Sequence, residues 1–261
     1  MKKMRLDKYL ATYTELSRKL AKQAIRKGRV RVGEEIAWRE EQKVGEEMDV
    51  FLDGEKIRGE SYVYYMMNKL SGVVSARSDA VDTTVVDTMN QKELAGHEVF
   101  PVGRLDKDTE GLLFLTDDGR LAHRLLSPKY HVNKTYYVEY EGVLSESGIK
   151  EMETGMDIGE KHRTKSACWE PMGPDNGKLT ISEGKYHQVK RMIAGAGGRV
   201  TYLKRISMAG IALDESLKPG EYRKLTQGEI EQLQEAAYGE EKLLRGEEGK
   251  NTGDIQDLGG M

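Results

Sequence analysis

Apolar residues recur at three- and four-residue spacing at the start of the chain. Leu6, Tyr9, Leu10 and Tyr13 share one face of a short helix over residues 5–14. Ser17 stands at the N-cap position of a second helix running to Lys27, with Gly28 as its stop. Leu20, Ala21, Ala24 and Ile25 form its buried face, and Arg18, Lys19, Lys22, Arg26 and Lys27 its exposed side. The period then falls to two. Val30, Val32 and Ile36 around Gly33, then Met48, Val50 and Leu52 before Asp53-Gly54, predict a small sheet. Gly59-Glu60-Ser61 has the composition of a linker. Beyond it, residues 62–69, 134–140, 179–181 and 200–203 read as strands, and Val73-Val74 and Thr84-Val85-Val86 carry further sheet character. Residues 187–195 predict a helix ending near Gly195, with a glycine-rich turn after it, and residues 229–237 a terminal helix. From Gly239 onward apolar residues are sparse and disorder is expected. The pattern divides the chain into 1–59, 60–237 and a tail over 238–261.

Composition narrows the class. The 261 residues are 38% hydrophobic and 33% charged, which suits one or two globular domains with a real core. The single cysteine, Cys168, excludes an internal disulfide framework and a multi-cysteine zinc site, and fits a reducing, cytoplasmic setting. His97, His123, His131 and His162 lack ligand spacing, so no metal is expected. No apolar run approaches the ~20 residues that span a membrane. The basic start, Met1 to Arg5, leads into Leu6-Asp7-Lys8-Tyr9-Leu10 rather than an apolar signal core.

The net charge of −3 conceals a strong asymmetry. Residues 1–31 hold eleven Lys and Arg against two acids, and residues 185–205 hold six against none. Separated basic patches are the electrostatic footprint of a polyanion partner. In the first patch Arg5, Ser17, Arg18, Lys19, Lys22, Arg26, Lys27, Arg29 and Arg31 are candidates for contacts to RNA phosphates.

The segment from Gly103 to Gly119 carries the candidate chemistry. Arg104, Asp106, Asp108 and Glu110 precede the apolar run Leu112-Leu113-Phe114-Leu115, with glycines on both sides. A core strand does not carry acids this way, so Asp106 reads as a working carboxylate on a loop. Three other readings apply to the loop alone. A calcium loop would take Asp106, Asp108 and Glu110 as ligands, but position twelve is Asp117 rather than Glu. Aspartyl-phosphate chemistry wants a long buried strand before the first Asp, and Gly103-Arg104 intervenes. In the third reading the acids only cap a helix and pair with Arg104.

Four segments together resemble a known family. Gly103-Arg104-Leu105-Asp106 with Thr109 and Gly111-Leu112, and Leu115 to Gly119, are similar to the signature of the RNA pseudouridine synthases. Residues 67–75 resemble that family's first motif, with Leu70 where proline is usual. Lys134-Thr135-Tyr136 is similar to its tyrosine motif, and residues 183–192 to its late motif. Residues 4–55 resemble the S4-type RNA-binding module that precedes the catalytic domain in the ribosomal-RNA branch. Within that branch, Tyr186-His187-Gln188-Val189-Lys190-Arg191-Met192 is worded most like the enzymes acting on small-subunit 16S rRNA.

The resemblance implies an α+β protein: a small S4-like domain, then a catalytic domain with a mixed, largely antiparallel sheet. It implies that a uridine in ribosomal RNA, within a ribosomal subunit precursor, is flipped out and isomerised without a cofactor. Asp106 would be the catalytic carboxylate, as nucleophile, as proton acceptor at the sugar, or both. Lys190 would be the cation that keeps it ionised, Tyr136 would stack on the base, Val189 would pack against it, and Arg104 would fill the vacated gap or bind phosphate. His187 is expected to pack or hydrogen-bond. No membrane and no obligate protein partner is expected. A large-subunit 23S target, or an assembly factor whose catalysis is dispensable, are the alternatives.

Overall fold

A computed structural model describes residues 4–14, 16–45, 48–57, 62–94 and 97–248, and its contacts divide the chain into two units, Met1–Ser61 and Tyr62–Met261. The linker Gly59-Glu60-Ser61 lies outside the described residues.

In the first unit β1 (Met4–Arg5) leads directly into α1 (Leu6–Tyr13), followed by α2 (Arg18–Arg26). The Ser17 hydroxyl accepts the Leu20 amide and caps α2. Four short strands then follow the two-residue alternation: β2 (Val30–Val32), β3 (Glu35–Ile36), and, after β4 (Lys43–Val44), β5 (Val50–Leu52) and β6 (Glu55–Ile57). They pair antiparallel in the order β3-β2-β5-β6, while β4 pairs β1. Leu6, Leu10, Ala21, Ala24, Ile25, Val30 and Val50 form the core. Leu20 departs from expectation and is 47% exposed. The inward stripe of α2 is narrow, set by Ala21, Ala24 and Ile25, and Leu20 falls on its flank.

The second unit is built on one nine-stranded sheet. Its strands are β7 (Tyr64–Lys69), β8 (Phe100–Pro101), β9 (Glu110–Thr116), β10 (Lys134–Gly142), β11 (Cys168–Pro171), β12 (Asn176–Ile181), β13 (Gly198–Met208), β14 (Ile211–Ala212) and β15 (Tyr222–Lys224). The order is β11-β12-β10-β13-β9-β7-β15, with β14 on β13 and β8 on β9. Every pairing is antiparallel except β9 with β13. The sheet is therefore mixed and largely antiparallel.

Alternation sorts the central strands between two cores. Leu113 and Leu115 of β9, with Tyr65 and Met67 of β7, join α5 (Gln188–Ala196) through Val189, Met192 and Ile193, and α4 (Glu146–Thr154) through Met152. Leu112 and Phe114, with Met66, face α3 (Gly119–Leu126) and α6 (Gln227–Glu248). Helices on both faces explain why Leu112-Leu113-Phe114-Leu115 is an unbroken apolar run.

Two expectations need correction. Val73-Val74 and Thr84-Val85-Val86 form no strands; a single bridge joins Val74 to Thr84. The Asp87 carboxylate takes both the amide and the hydroxyl of Thr84, committing that segment to a turn. The helix expected over residues 187–195 is present as Gln188–Ala196, with Gly195 packed on Met156. The terminal helix α6 runs through Gly239 to Glu248, because Glu240-Glu241-Lys242-Leu243-Leu244-Arg245 are good helix formers. The rest of the expected disordered tail lies outside the described residues.

Gly111 sits at the parallel seam opposite Arg205 with φ +98°, and a Cβ there would lie 2.2 Å from the Arg205 carbonyl oxygen. Gly111→Ala is expected to lower stability by about 3 kcal/mol in urea unfolding. Gly72→Ala, at φ +88° but with open space around it, should cost about 1 kcal/mol.

Candidate active site

The loop bearing Asp106 lies between β8 and β9 and is gripped by the segment that follows β7. Lys69 ends β7 opposite Gly111 and is fully buried. Its Nζ donates to the carbonyls of Leu70 (3.1 Å), Lys107 (3.2 Å) and Thr109 (2.8 Å). The Gly72 amide donates to the Lys107 carbonyl at 2.7 Å. Ser75 Oγ donates to the Leu105 carbonyl at 2.9 Å and accepts the Leu105 amide at 3.0 Å. The backbone on both sides of Asp106 is thereby fixed.

α5 brings the opposing charge. Lys190 Nζ lies 3.1 Å from Asp106 Oδ2 and 2.6 Å from Asp108 Oδ1. Burial works against the Lys190 ammonium, but hydrogen bonds to Asp108 and Asp106 outweigh it, and its pKa stands above the ordinary lysine value. The Lys190 hydrogen bond, opposed by burial, holds Asp108 below the usual carboxylate range. His187 Nε2 is 3.5 Å from Asp106 Oδ1. His187 occupies the N-cap position of α5 in the left-handed region, φ 49°, an uncommon conformation for a non-glycine residue. Asp106 thus presents one oxygen to a cation and the other to an imidazole, with its side chain 28% exposed.

Tyr136 and Val189 are buried in the apolar cluster that also holds Leu105. The residues preceding Asp106 and Lys190 therefore share one core with Tyr136. Tyr140 packs edge-on against Trp169, and the Tyr137 hydroxyl binds Glu139, so both serve the strand. Arg104 is exposed and, among the described residues, pairs with no acid.

The other acids of the segment do structural work. Asp118 caps α3 through the Arg120 and Leu121 amides and accepts the Tyr64 hydroxyl. Asp117 accepts the Val63 amide and lies 2.7 Å from His97 Nδ1. Asp106 and Asp108 cap no helix. Among the described residues no group of three or more His, Cys, Asp or Glu is placed to hold a metal ion, and no helix is long and apolar enough to cross a membrane.

The basic patch of the first unit is less bare than its sequence suggests. Asp7 is fully buried and takes Arg5 at 3.1 Å and Arg18 at 2.7 Å, with Lys22 at 3.9 Å. Burial would push Asp7 up, but the hydrogen bonds from Arg5 and Arg18 keep it below the usual range. Glu40 pairs Arg26, and Asp53 pairs Arg29. Ser17 is committed to its cap. Among the described residues Lys19, Lys27 and Arg31 pair with no acid; Arg31 lies over the Phe51 ring.

Sequence reasoning missed the roles of Lys69, Ser75 and Asp108. A lysine closing a largely apolar strand was the available signal for the first. Nothing local marks Ser75, because its partner is thirty residues away.

The profile of the RNA pseudouridylate synthase family matches residues 63–195, and that of the S4 domain residues 4–51. The chain is 46% identical over 237 residues to an uncharacterized RNA pseudouridine synthase of Bacillus subtilis, covering 89% of this chain and 99% of that protein. It is 41% identical over 229 residues to the ribosomal small subunit pseudouridine synthase A of Escherichia coli K12, covering 87% and 98%. A crystal structure of a pseudouridylate synthase superposes with a TM-score of 0.63 at 40% identity, covering 88% of this chain and 99% of that one.

Burial lowers the Lys69 pKa to about 8 from 10.5, against the raising charges of Asp108, Glu110 and Asp106. Between those values the unfolded chain binds more protons, so this group makes the fold more stable as pH rises from 8 toward 10.5. Relative to Lys69→Met, the wild type should gain about 2 kcal/mol in urea unfolding between pH 7.5 and 10. A constant difference between the two proteins would contradict this.

Proposed function

The chain belongs to the RNA pseudouridylate synthase family, and from that premise we propose that it isomerises one specific uridine of small-subunit 16S rRNA to pseudouridine. The observation that carries the reading is Asp106, on a loop held from behind by Lys69 and Ser75 and faced by Lys190 and His187. A rigid, partly exposed carboxylate with a cation on one oxygen is suited to act at a sugar carbon. The 41% identity to the Escherichia coli small-subunit enzyme over most of both chains supports the choice of subunit.

In the reaction the N1–C1′ bond breaks, the base turns, and C5 bonds C1′ as the C5 proton leaves and N1 gains one. No electron is gained or lost overall, and no cofactor is required. The target base leaves its stack for the site, at a cost of about a few kcal/mol. Lys19, Lys27 and Arg31 offset that cost through phosphate contacts, and Arg104 occupies the gap left by the base. Asp106 acts at the ribose, Lys190 sets a cation against its Oδ2, and Tyr136 and Val189 bound the uracil. The substrate is ribosomal RNA in a subunit precursor, in the cytoplasm.

Tritium release from 16S rRNA labelled at uracil C5 tests the reading, since isomerisation expels that hydrogen. Wild type should release one tritium per chain of RNA at the modified site. Asp106→Ala and Asp106→Asn should fall by about a thousandfold or more while still binding the RNA. Release from 23S rRNA alone would move the target to the large subunit. Undiminished release by Asp106→Asn would remove Asp106 from the chemistry.

A further inference from the structure

Beside Asp106 stands a pair of rings to which the reaction above gives no task. Tyr186 and His187 stack with centroids 3.8 Å apart and planes 19° from parallel. His187 is the ring whose Nε2 lies 3.5 Å from Asp106 Oδ1, and Tyr186 covers one of its faces. Tyr186 is 71% exposed, more than any other aromatic residue among those described. Among the described residues it meets no ring but His187.

The backbone beneath these rings is pinned. The Arg191 guanidinium donates to the Tyr186 carbonyl at 3.2 Å and binds Glu160 at 2.9 Å. The Gln188 side chain accepts the Lys185 amide at 2.9 Å. The left-handed His187 aims its ring at Asp106, and the structure keeps that uncommon conformation. A fixed turn that exposes a flat apolar ring next to the reacting carboxylate is arranged for a flat ligand.

We infer that Tyr186 is a stacking platform for an unpaired base adjoining the target uridine, with His187 as the spacer between that base and Asp106. This rests on the reading that the chain acts on a uridine in RNA. The ring spacing is close to the ~3.4 Å rise of a stacked strand, so a base on Tyr186 continues the stack in register. The flanking charge fits the strand's phosphates. Lys185, the residue before Tyr186, donates only to the carbonyls of His162 and Arg163, so among the described residues its ammonium lacks a carboxylate. Every base has a π-face, so the platform positions the strand without reading its sequence.

Tyr186→Ala, Tyr186→Leu and Tyr186→Phe in the full chain test this by tritium release and filter binding on 16S rRNA. The Ala and Leu variants should raise KM and Kd about tenfold with kcat within about twofold, and Phe should match wild type. Replacing the stacked neighbour of the modified uridine with an abasic nucleotide should erase the difference between wild type and Tyr186→Ala. Unchanged KM and Kd in Tyr186→Ala would overturn the platform while leaving the proposed reaction intact. So would wild-type behaviour of Tyr186→Leu, or a loss confined to kcat. If wild type releases no tritium, the proposed reaction fails, and the platform then stands or falls on whether Ala, but not Phe, weakens binding.

Discussion

A buried ammonium organises the second unit around its reacting loop. Lys69 is removed from water at the end of β7, and its three hydrogen-bond acceptors are backbone carbonyls, two of them on the loop. A buried cation without such partners is costly, so every arrangement that moves Lys107 or Thr109 away from Nζ is penalised. The loop conformation follows, and with it the position of Asp106. The carboxylates of Asp108, Glu110 and Asp106 add a longer-range attraction that keeps the lysine from losing more of its proton. Lys190 then meets Asp106 and Asp108 from α5, so two cations of different kinds bracket the loop. One is buried on carbonyls, the other half-exposed on carboxylates.

Parallel pairing of β9 with β13 makes this arrangement possible. At Gly111 the two backbones approach too closely for any side chain. The loop entering β9 is thus brought beside the strand that follows α5, and α5 carries Lys190. Arg205, across the seam, is itself buried and donates its Nε to the Leu112 carbonyl at 2.7 Å. Geometry at one seam places residues from three distant stretches of sequence at one site.

Much of this was legible in the chain. The Leu112 to Leu115 run, the Lys134-Thr135-Tyr136 alternation and the spacing of Ala21, Ala24 and Ile25 reflect local periodicities, and local periodicity survives folding. Asp106 was visible as a carboxylate on a glycine-bounded loop, and Lys190 through the likeness of residues 183–192 to the family's late motif. What was hidden depends on partners far along the chain. Ser75 gives no sign that it will take both backbone groups of Leu105. Asp7, Glu40 and Asp53 do not announce that they will fold onto Arg5, Arg18, Lys22, Arg26 and Arg29. In the first unit, cations that read as a phosphate-facing surface serve partly to shelter a buried aspartate. The Val73-Val74 misreading has the same origin, since β-favouring residues yielded to a side-chain turn at Asp87 and Thr84.

The seam also sets the order in which the working enzyme arises during synthesis. β7 and β9 can pair as soon as residue 116 has emerged, and Lys69 can then reach its carbonyls. Gly111, however, finds Arg205 only after a long further stretch has been translated, and β15 closes on β7 later still. Pairings so distant in sequence form slowly, and an unpaired β9 edge stands open meanwhile. The contacts that fix the Asp106 loop from behind thus lie earlier in the chain than the lysine, histidine and second strand that complete the site.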